Sequence, residues 1–149
     1  MGGAVVVTGA SSGIGAACAK HLDRLGFTVF AGVRRQVDGD ALVRAASPRL
    51  RVVMLDVTDP MSIADAGRTI AEATSGSGLA ALVNNAGISV AGPLELLPLA
   101  DVRTQFEVNV IGALAVTQAL LPLLRLARGR LVNISSIAGL AATPFLGAY

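Results

Sequence analysis

The sequence has 149 residues, of which 53% are hydrophobic and 15% charged, and its mean hydropathy is +0.66. Such a chain is not intrinsically disordered, because disorder requires low hydrophobicity and high net charge. The net charge is only +2 and the longest basic run is Arg34-Arg35, so the chain lacks the basic stripe that nucleic-acid binding requires. With one cysteine, Cys18, and one histidine, His21, an internal disulfide is excluded and we predict no metal site.

The most apolar stretch runs from Val110 to Leu124, but it contains Thr117, Gln118 and Pro122. A membrane span needs about 18 or more consecutive apolar residues, so we predict a buried helix of a soluble protein instead. The first residues show neither the basic region of a signal peptide nor a myristoylation pattern. We therefore expect a cytoplasmic protein with no membrane partner.

Along the chain, short apolar runs rich in β-branched residues alternate with helical patterns. The runs predict buried strands at residues 4–7, 28–30, 52–55, 81–83 and 131–134. Their almost continuous apolar character is typical of a parallel sheet that is covered on both faces.

Helical patterns lie between these runs. The first helix has an apolar stripe formed by Ile14, Ala17, Cys18, Leu22 and Leu25. A weaker helix is predicted over residues 40–46, Asp59-Pro60 predicts the start of a third helix, and the longest helix is predicted over residues 100–127. This alternation predicts one domain over residues 1–149 with an α/β fold, a Rossmann-type doubly wound parallel sheet with helices on both faces.

The first predicted strand runs into a glycine-rich turn, where the first helix begins. The turn contains Gly9, Ser11, Ser12, Gly13, Ile14 and Gly15. Glycines at such a turn let backbone N–H groups approach a pyrophosphate, which the positive end of the helix dipole also attracts. The spacing differs from the G-x-G-x-x-G of the ordinary dinucleotide fingerprint, and a simple chain reversal is the alternative. The position between strand and helix favours nucleotide binding.

Further motifs follow in a fixed order: Thr8-Gly-x-x-x-Gly-Ile-Gly, Asn84-Asn85-Ala86-Gly87, Asn109, and Ser136 thirteen residues before Tyr149. At these spacings the chain resembles the short-chain dehydrogenase/reductase family over its whole length. Residues 91–95 and 140–149 resemble the hydroxysteroid and retinol dehydrogenase branch of that family. A methyltransferase that binds S-adenosylmethionine would share the glycine turn but would leave Ser136 and Tyr149 unexplained.

The resemblance implies a dinucleotide cofactor, NAD or NADP, and identifies further residues that would bind it. Asp56 would accept a hydrogen bond from the adenine amino group while Val57 contributes its backbone. Alternatively Asp56 caps the turn that follows it, and both roles are compatible. Asn84 and Ala86 would border the adenosine ribose, and Gly87 would allow close backbone approach, although asparagines after a strand are also common turn formers.

The end of the second predicted strand bears on the choice between these two cofactors. An NAD-binding enzyme places a carboxylate there to accept the ribose hydroxyls, whereas this strand ends in Arg34-Arg35 and the first acidic residue is Asp38. A guanidinium can bind the 2′-phosphate of NADP bidentately. We predict NADP(H) rather than NAD, with Arg34 as the phosphate ligand and Arg35 assisting. Two solvated surface arginines are the alternative.

The resemblance also identifies a reacting centre. Ser136 and Tyr149 match the family's catalytic serine and tyrosine, so Tyr149 would exchange a proton with the substrate oxygen while Ser136 stabilises the charge on it. Ser135 precedes Ser136, but the thirteen-residue spacing favours Ser136. Asn109 lies on the apolar face of the long predicted helix. For it we favour the family's water-mediated proton relay over a core asparagine that satisfies a backbone group.

The family pattern has a lysine four residues after the tyrosine, a position beyond Tyr149, where the sequence ends. We therefore expect an NADP(H)-dependent oxidoreductase that interconverts a secondary alcohol and a ketone on an apolar substrate, with its C-terminal part missing after the catalytic tyrosine. The alternative is a truncated, catalytically inactive fragment that binds nucleotide. The resemblance further implies that the full-length form is a homodimer or homotetramer.

Overall fold

The structure is a computed structural model that describes residues 2–149. Within that range the strands are β1 (Ala4–Val7), β2 (Thr28–Val33), β3 (Leu50–Met54), β4 (Leu79–Asn84) and β5 (Arg130–Asn133). The α-helices in the same range are α1 (Gly13–Arg24), α2 (Gln36–Val43), α3 (Pro60–Thr74), α4 (Leu99–Phe106) and α5 (Ala113–Leu126). Short 3-10 turns lie at Leu94–Leu96 and Ile137–Gly139.

The strands form one parallel sheet in the order β3-β2-β1-β4-β5. β1 lies in the middle, with Val6 opposite Phe30 of β2 on one side and opposite Leu82 of β4 on the other. The strand order reverses at β1, and ligands of doubly wound sheets bind in the crevice at such a reversal, beyond the carboxyl ends of the strands. The predicted α/β class with a Rossmann-type parallel sheet is confirmed.

Helices cover both faces of the sheet, as the sequence predicts. Side chains of a strand alternate between faces, and β1 shows this directly. Val6 joins the core formed with α3 and α5, whereas Val5 and Val7 join the core formed with α1 and α2. These cores cover the central strands, whereas every residue of β5 is exposed. In the covered part of the sheet, an accessible site can therefore lie only at the strand ends.

The face that α1 buries differs from the predicted stripe. Ile14 and Leu25 are 65% and 59% exposed, and the buried positions include Gly15 and Ala19. α1 buries this face because it packs closely against the turn before it: a Cβ atom at Gly15 would overlap with the carbonyl oxygen of Gly9. The start of α1 therefore requires small residues, because it packs directly against the glycine-rich turn. The pattern of apolar residues in the sequence does not predict this requirement.

α3 starts as predicted, whereas α2 does not. The Asp59 carboxylate accepts a hydrogen bond from a first-turn N–H group at 2.9 Å, and Pro60 occupies the first helical position. α2 begins at Gln36 rather than at residue 40. Gly39 lies inside it, where a Cβ atom would come within 2.6 Å of the Val52 side chain. The low helix propensity of glycine conceals this helix in the sequence.

α4 and α5 join into one continuous helix, Leu99–Leu126, through a π-helical turn at Glu107–Gly112. In the part of the chain that the structure describes, this is the one helix long and apolar enough to span a membrane, with a mean hydropathy of 1.6. Core helices of soluble proteins meet the same two criteria.

The predicted burial of this long helix is only half right. The side chains that it buries against the sheet include Val116, Leu120 and Leu124, whereas Val110 and Leu114 are exposed. Just 22% of its most apolar window is buried. An almost continuous apolar run does not show which side faces the sheet, and here the run leaves an apolar outer face.

Candidate active site

The glycine-rich turn lies at the carboxyl end of β1. Gly9 and Gly13 have positive φ angles of 63° and 53°, a backbone conformation that glycine adopts without steric penalty. A Cβ atom at Gly13 would meet no other atom within 4 Å, so this position faces open space. Ser12 precedes α1 without a side-chain cap, and none of the residues described in the first turn is acidic. The first N–H groups of α1 are therefore available to an anion.

A buried threonine and an asparagine hold this turn against β4. The Thr8 hydroxyl accepts hydrogen bonds from the N–H groups of Asn85 and Ala86, both at 2.9 Å. In return, the Asn85 side-chain amide donates to the carbonyl oxygens of Thr8 and Gly9, at 2.9 and 3.1 Å. The motif analysis gives Thr8 and Asn85 no role of their own. Their polarity directly after apolar strands is the signal that could have identified them.

A cavity of about 490 Å³, the cofactor cavity, lies beyond the carboxyl ends of the strands. Its walls come from the glycine-rich turn, the ends of β2 and β3, and the segment after β4. The predicted cofactor-binding residues that line it are Gly9, Ser11, Ser12, Gly13, Ile14, Gly15, Arg34, Asp56, Val57, Ala86 and Gly87. Of the predicted set, Arg35 and Asn84 do not line this cavity.

Asn84 faces away from the cofactor cavity, which corrects the prediction that it borders a ribose. It is buried, and its side-chain amide donates to the Thr117 hydroxyl at 2.9 Å and to the Asn133 side-chain oxygen at 3.0 Å. Successive side chains alternate along a strand, so Asn84 and Asn85 point to opposite sides. Asn85 is the asparagine that lines the cavity.

A second, polar cavity of about 440 Å³ adjoins the first and is lined by Ser11, Arg34, Arg35, Asp38 and Asp56. The Arg35 guanidinium forms a bidentate pair with Asp38, at 2.8 and 2.9 Å. This hydrogen-bonded pair holds the pKa of Asp38 below its ordinary value. Arg34 lines both cavities and forms no ion pair within residues 2–149. Its guanidinium is therefore the free cation at this edge of the cofactor cavity.

Asp56 caps the turn after β3 and also lines the cofactor cavity. Its Oδ1 atom accepts hydrogen bonds from the N–H and hydroxyl groups of Thr58, at 2.9 and 2.7 Å. These bonds, the N–H bond foremost, hold the pKa of Asp56 below its ordinary value. The capping role is thus observed. The carboxylate is ionised at neutral pH, and Oδ2 is left to accept a further hydrogen bond.

A third cavity, of about 420 Å³, brings together all three residues predicted to be catalytic. We call it the reaction cavity, and its lining includes Asn109, Ser136 and Tyr149. Ile14 and the segment 85–88 line both this cavity and the cofactor cavity. Residues from the two ends of the sequence therefore meet at one edge of the sheet, as doubly wound topology requires.

Ser136 and Tyr149 reach the reaction cavity from the chain that follows β5. The Ser136 hydroxyl oxygen accepts a hydrogen bond from the Ala138 N–H at 3.2 Å and starts the 3-10 turn. The Tyr149 N–H bonds to the Leu146 carbonyl oxygen at 3.0 Å, and the residue is 46% exposed. Ser135 lines the same cavity. Both predicted catalytic hydroxyls are thus placed where a ligand can contact them.

Asn109 lies in the π-helical turn and is half-buried. Its Oδ1 atom accepts a hydrogen bond from the Ile88 N–H and its amide donates to the Ile88 carbonyl oxygen, both at 2.8 Å. This is the backbone-satisfying arrangement that we considered as the alternative to a proton relay. The relay stays a prediction. Phe106, on the same predicted apolar face, is exposed.

Comparison with known families matches residues 3–149 to the short chain dehydrogenase family. The chain belongs to this family. Among curated relatives, this short-chain dehydrogenase is 47% identical to estradiol 17-beta-dehydrogenase 2 of Rattus norvegicus, over 98% of this chain and 39% of that protein. It is 42% identical to retinol dehydrogenase 5 of Homo sapiens, over 91% of this chain and 43% of that protein. The resemblance to the hydroxysteroid and retinol dehydrogenase branch is confirmed.

The short-chain dehydrogenase chain spans about two fifths of the length of these curated relatives. Among solved structures, the NADPH-bound carbonyl reductase from chicken fatty liver superposes with a TM-score of 0.85 at 38% identity. That match covers 91% of this chain and 60% of the reductase chain.

Short-chain dehydrogenases use NAD(P), and the residues of the cofactor cavity fit such a dinucleotide. The open space at Gly13 and the uncapped start of α1 suit a pyrophosphate. Oδ2 of Asp56 is an acceptor suited to an exocyclic amino group. Asn85 and Ala86 lie where the cofactor cavity meets the reaction cavity, so they would border the part of the dinucleotide nearest the substrate.

Proposed function

We propose that the protein is an NADP(H)-dependent oxidoreductase that interconverts a secondary alcohol and a ketone on an apolar substrate. The observation that carries this proposal is the wall shared by the two cavities, Ile14 and the segment 85–88. Through it, a dinucleotide held at the glycine-rich turn reaches the cavity that contains Ser136 and Tyr149. Their hydroxyls then act on a substrate placed beside the cofactor.

The protein's own groups handle the proton and the charge of this reaction. When bound, the nicotinamide supplies or accepts the hydride. Tyr149 donates a proton to the carbonyl oxygen during reduction and removes it from the alcohol during oxidation. The Ser136 oxygen accepts a hydrogen bond from the Ala138 N–H, and within residues 2–149 its hydroxyl donates to no other group, so its proton is available to donate to the same substrate oxygen and stabilise the charge there. Asn109 fixes the cavity wall through its two hydrogen bonds to Ile88.

The preference for NADP(H) rests on Arg34. Arg35 already neutralises Asp38 through a bidentate pair, which leaves Arg34 as the cation facing a cofactor. It lines both the cofactor cavity and the adjoining polar cavity, where a 2′-phosphate would extend from the ribose. Asp56 is the other acidic residue there, and its Oδ1 atom already accepts two hydrogen bonds from Thr58.

The side chains around the reaction cavity support an apolar substrate. Ile88 lines the cavity, and Leu94 and Phe145 are exposed on segments outside its lining. The two segments that carry Leu94 and Phe145 are joined by a hydrogen bond from the Gly92 N–H to the Phe145 carbonyl oxygen, at 2.8 Å. The relatives named above act on estradiol and retinol, which are both apolar alcohols.

The assembly and the cellular location belong to the same proposal. The exposed apolar face of the continuous helix Leu99–Leu126, with Val110, Ile111 and Leu114, supports pairing of two copies in a homodimer or homotetramer. We place the protein in the cytoplasm.

The NADP(H) preference is tested by substituting Arg34→Asp. We expect NADPH affinity to fall about ten- to a hundredfold, because charge-assisted hydrogen bonds of about 1.5–3 kcal/mol are lost, while NADH affinity is kept or raised. Calorimetric titration with each nucleotide measures this without any turnover. The matched control is Arg125→Asp. Arg125 lies in the last turn of α5, and this end of the helix packs beside the amino end of β4, away from the cofactor cavity. An unchanged NADPH/NADH preference in Arg34→Asp would contradict the assignment.

Nucleotide binding without turnover is the second candidate function. It is favoured by the match to about two fifths of the relatives' length, since the cofactor cavity lies within the matched residues. The two candidates differ in one measurement. A chain that binds NADPH and also oxidises it in the presence of a ketone supports the oxidoreductase, whereas binding with no NADPH-dependent ketone reduction supports the second candidate.

A further inference from the structure

We propose that Gln105 is a positioning residue that couples the wall of the reaction cavity to the chain carrying Tyr149. Gln105 is only 2% exposed. Its Oε1 atom accepts a hydrogen bond from the Val90 N–H at 2.7 Å, and its Nε2 atom donates to the Ala148 carbonyl oxygen. One buried amide therefore bridges two separate segments. The inference rests on the proposed function, because the position of Tyr149 matters for rate only if Tyr149 reacts.

The geometry of the long helix explains how it holds the cavity wall. Gln105 and Asn109 are four residues apart, so their side chains lie on one face of the helix. Asn109 binds both main-chain polar groups of Ile88, and Gln105 binds the N–H of Val90. The two amides thus hold alternate residues of the same segment, and this segment begins in the wall that the two cavities share.

The second half of the bridge acts on the chain just before the reacting tyrosine. Ala148 directly precedes Tyr149, so a bond to its carbonyl oxygen fixes the peptide from which the tyrosine side chain projects. A main-chain bond between Gly92 and Phe145, at 2.8 Å, joins the same two segments further from the tyrosine. Of these two links, only the one made by Gln105 comes from a side chain. A displacement of about 1 Å in a reacting group can lower a rate about a hundredfold.

The test compares Gln105→Met, which keeps the side-chain length but removes both hydrogen bonds, with Gln118→Met. Gln118 is exposed on α5, so this control makes the same chemical change away from the bridge. Tyr149 is the only tyrosine in the sequence, so tyrosine-labelled protein gives a single set of ring NMR signals. In Gln105→Met we expect these signals to move towards those of a free tyrosine peptide, and the Val90 amide to exchange at least about tenfold faster.

Turnover gives an independent readout. We expect kcat for ketone reduction to fall about tenfold or more in Gln105→Met, with the KM for NADPH changed less than about twofold, since Gln105 does not line the cofactor cavity. Gln118→Met should keep the wild-type Tyr149 signals and the wild-type Val90 exchange. If Gln105→Met kept wild-type Tyr149 signals and wild-type Val90 exchange, the inference would be overturned.

A second variant covers the case in which Gln105→Met loses its helical circular dichroism signal. Gln105→Glu keeps an acceptor for the Val90 N–H, and at a pH where its carboxyl group is ionised it has no proton to donate to the Ala148 carbonyl oxygen. We expect Val90 to stay protected while the Tyr149 signals shift, and the opposite pattern would refute the bridge. Failure of the wild-type protein to bind or oxidise NADPH would count against the proposed function alone, because the NMR and exchange measurements need no cofactor.

Discussion

At the scale of single residues, the proposed reaction depends on which hydroxyl groups have a proton to donate. Ser136 accepts a hydrogen bond from a backbone N–H, and its hydroxyl donates to no other group within residues 2–149, so its proton is available to a substrate oxygen. Ser135 lies next to it and also lines the reaction cavity. The two serines therefore provide a matched pair within one cavity, and only Ser136 is proposed to stabilise charge on the substrate.

We predict that Ser136→Ala lowers kcat for ketone reduction about a hundred- to a thousandfold, the range for loss of one preorganised donor to a developing oxyanion. Ser135→Ala should change kcat less than about threefold. Both variants should bind NADPH as the wild-type protein does, measured by calorimetric titration alongside initial rates at saturating NADPH. Equal losses of kcat in the two variants would contradict the assignment of Ser136.

Another residue-scale feature, at the end of α1, concerns stability rather than catalysis. The buried Asp23 carboxylate accepts hydrogen bonds from the Ser47 hydroxyl and from the Ser47 N–H, the latter at 2.9 Å, and Arg49 lies 3.8 Å away. The hydroxyl bond foremost holds the pKa of Asp23 below its ordinary value. The ionised carboxylate thereby fastens α1 to the loop before β3.

The sign of the resulting pH dependence follows from this lowered pKa. The stabilisation by Asp23 is fully present above the ordinary aspartate pKa of about 3.9 and is lost as the pH falls through the lowered folded-state value. We predict that Asp23→Asn destabilises the protein at pH 7 and that this difference shrinks below about pH 4. Urea unfolding at both pH values measures it.

Asp65→Asn is the control for this measurement, because Asp65 is also paired with an arginine, Arg68, but the pair is exposed. Exposed pairs contribute only about 0–1 kcal/mol. A loss of stability in Asp23→Asn that stayed constant across the pH range would show that the bonds to Ser47 do not depend on the ionised carboxylate.

At the scale of elements, the start of α1 determines the shape of the cofactor cavity. Gly15 lies in the first turn of this helix, where a Cβ atom would overlap with the carbonyl oxygen of Gly9 and the side-chain amide of Asn85. Gly67 also lies inside a helix, α3, but a Cβ atom there would meet nothing within 4 Å. The same substitution should therefore have opposite effects at the two positions.

We predict that Gly15→Ala lowers the free energy of unfolding by about 1–3 kcal/mol, the cost of overpacking, and weakens NADPH binding. Gly67→Ala should raise the free energy of unfolding by about 0.5–1 kcal/mol, because alanine loses less backbone entropy in a helix. Urea titrations followed by circular dichroism compare the two variants. Equal changes of the same sign would show that contact with Gly9 does not decide the outcome at Gly15.

The elements also show what the sequence could and could not predict. The strands were predictable because a doubly covered parallel sheet needs continuous apolar runs, and the start of α3 because Asp59-Pro60 has a local cause. The buried face of α1 was not, since Gly15 is required by a contact with a residue six positions earlier. Nor could the sequence show which of Asn84 and Asn85 lines the cofactor cavity. Side chains alternate between the two sides of a strand, and only the folded sheet shows which side faces the cavity.

At the scale of the whole molecule, the parallel order of the sheet brings the two ends of the chain to one edge. The glycine-rich turn follows β1, whereas Ser136 and Tyr149 follow β5. Ile14 nevertheless lines both the cofactor cavity and the reaction cavity. Motif spacing identified these residues separately, whereas their meeting depends on the crossovers of the fold. The outer face of the helix Leu99–Leu126 and the strand β5 are exposed within residues 2–149. The apolar sequence of both elements predicts that they are covered.

The central claim is that cofactor binding and the reacting tyrosine share one continuous site. The most direct test is an NADPH titration followed at the ring NMR signals of Tyr149, the only tyrosine in the sequence. We predict a saturable shift of these signals, with the midpoint moved to higher NADPH concentration in Arg34→Asp and unchanged in Arg125→Asp. Saturable NADPH binding that leaves the Tyr149 signals unmoved, or no binding at all, would contradict the account.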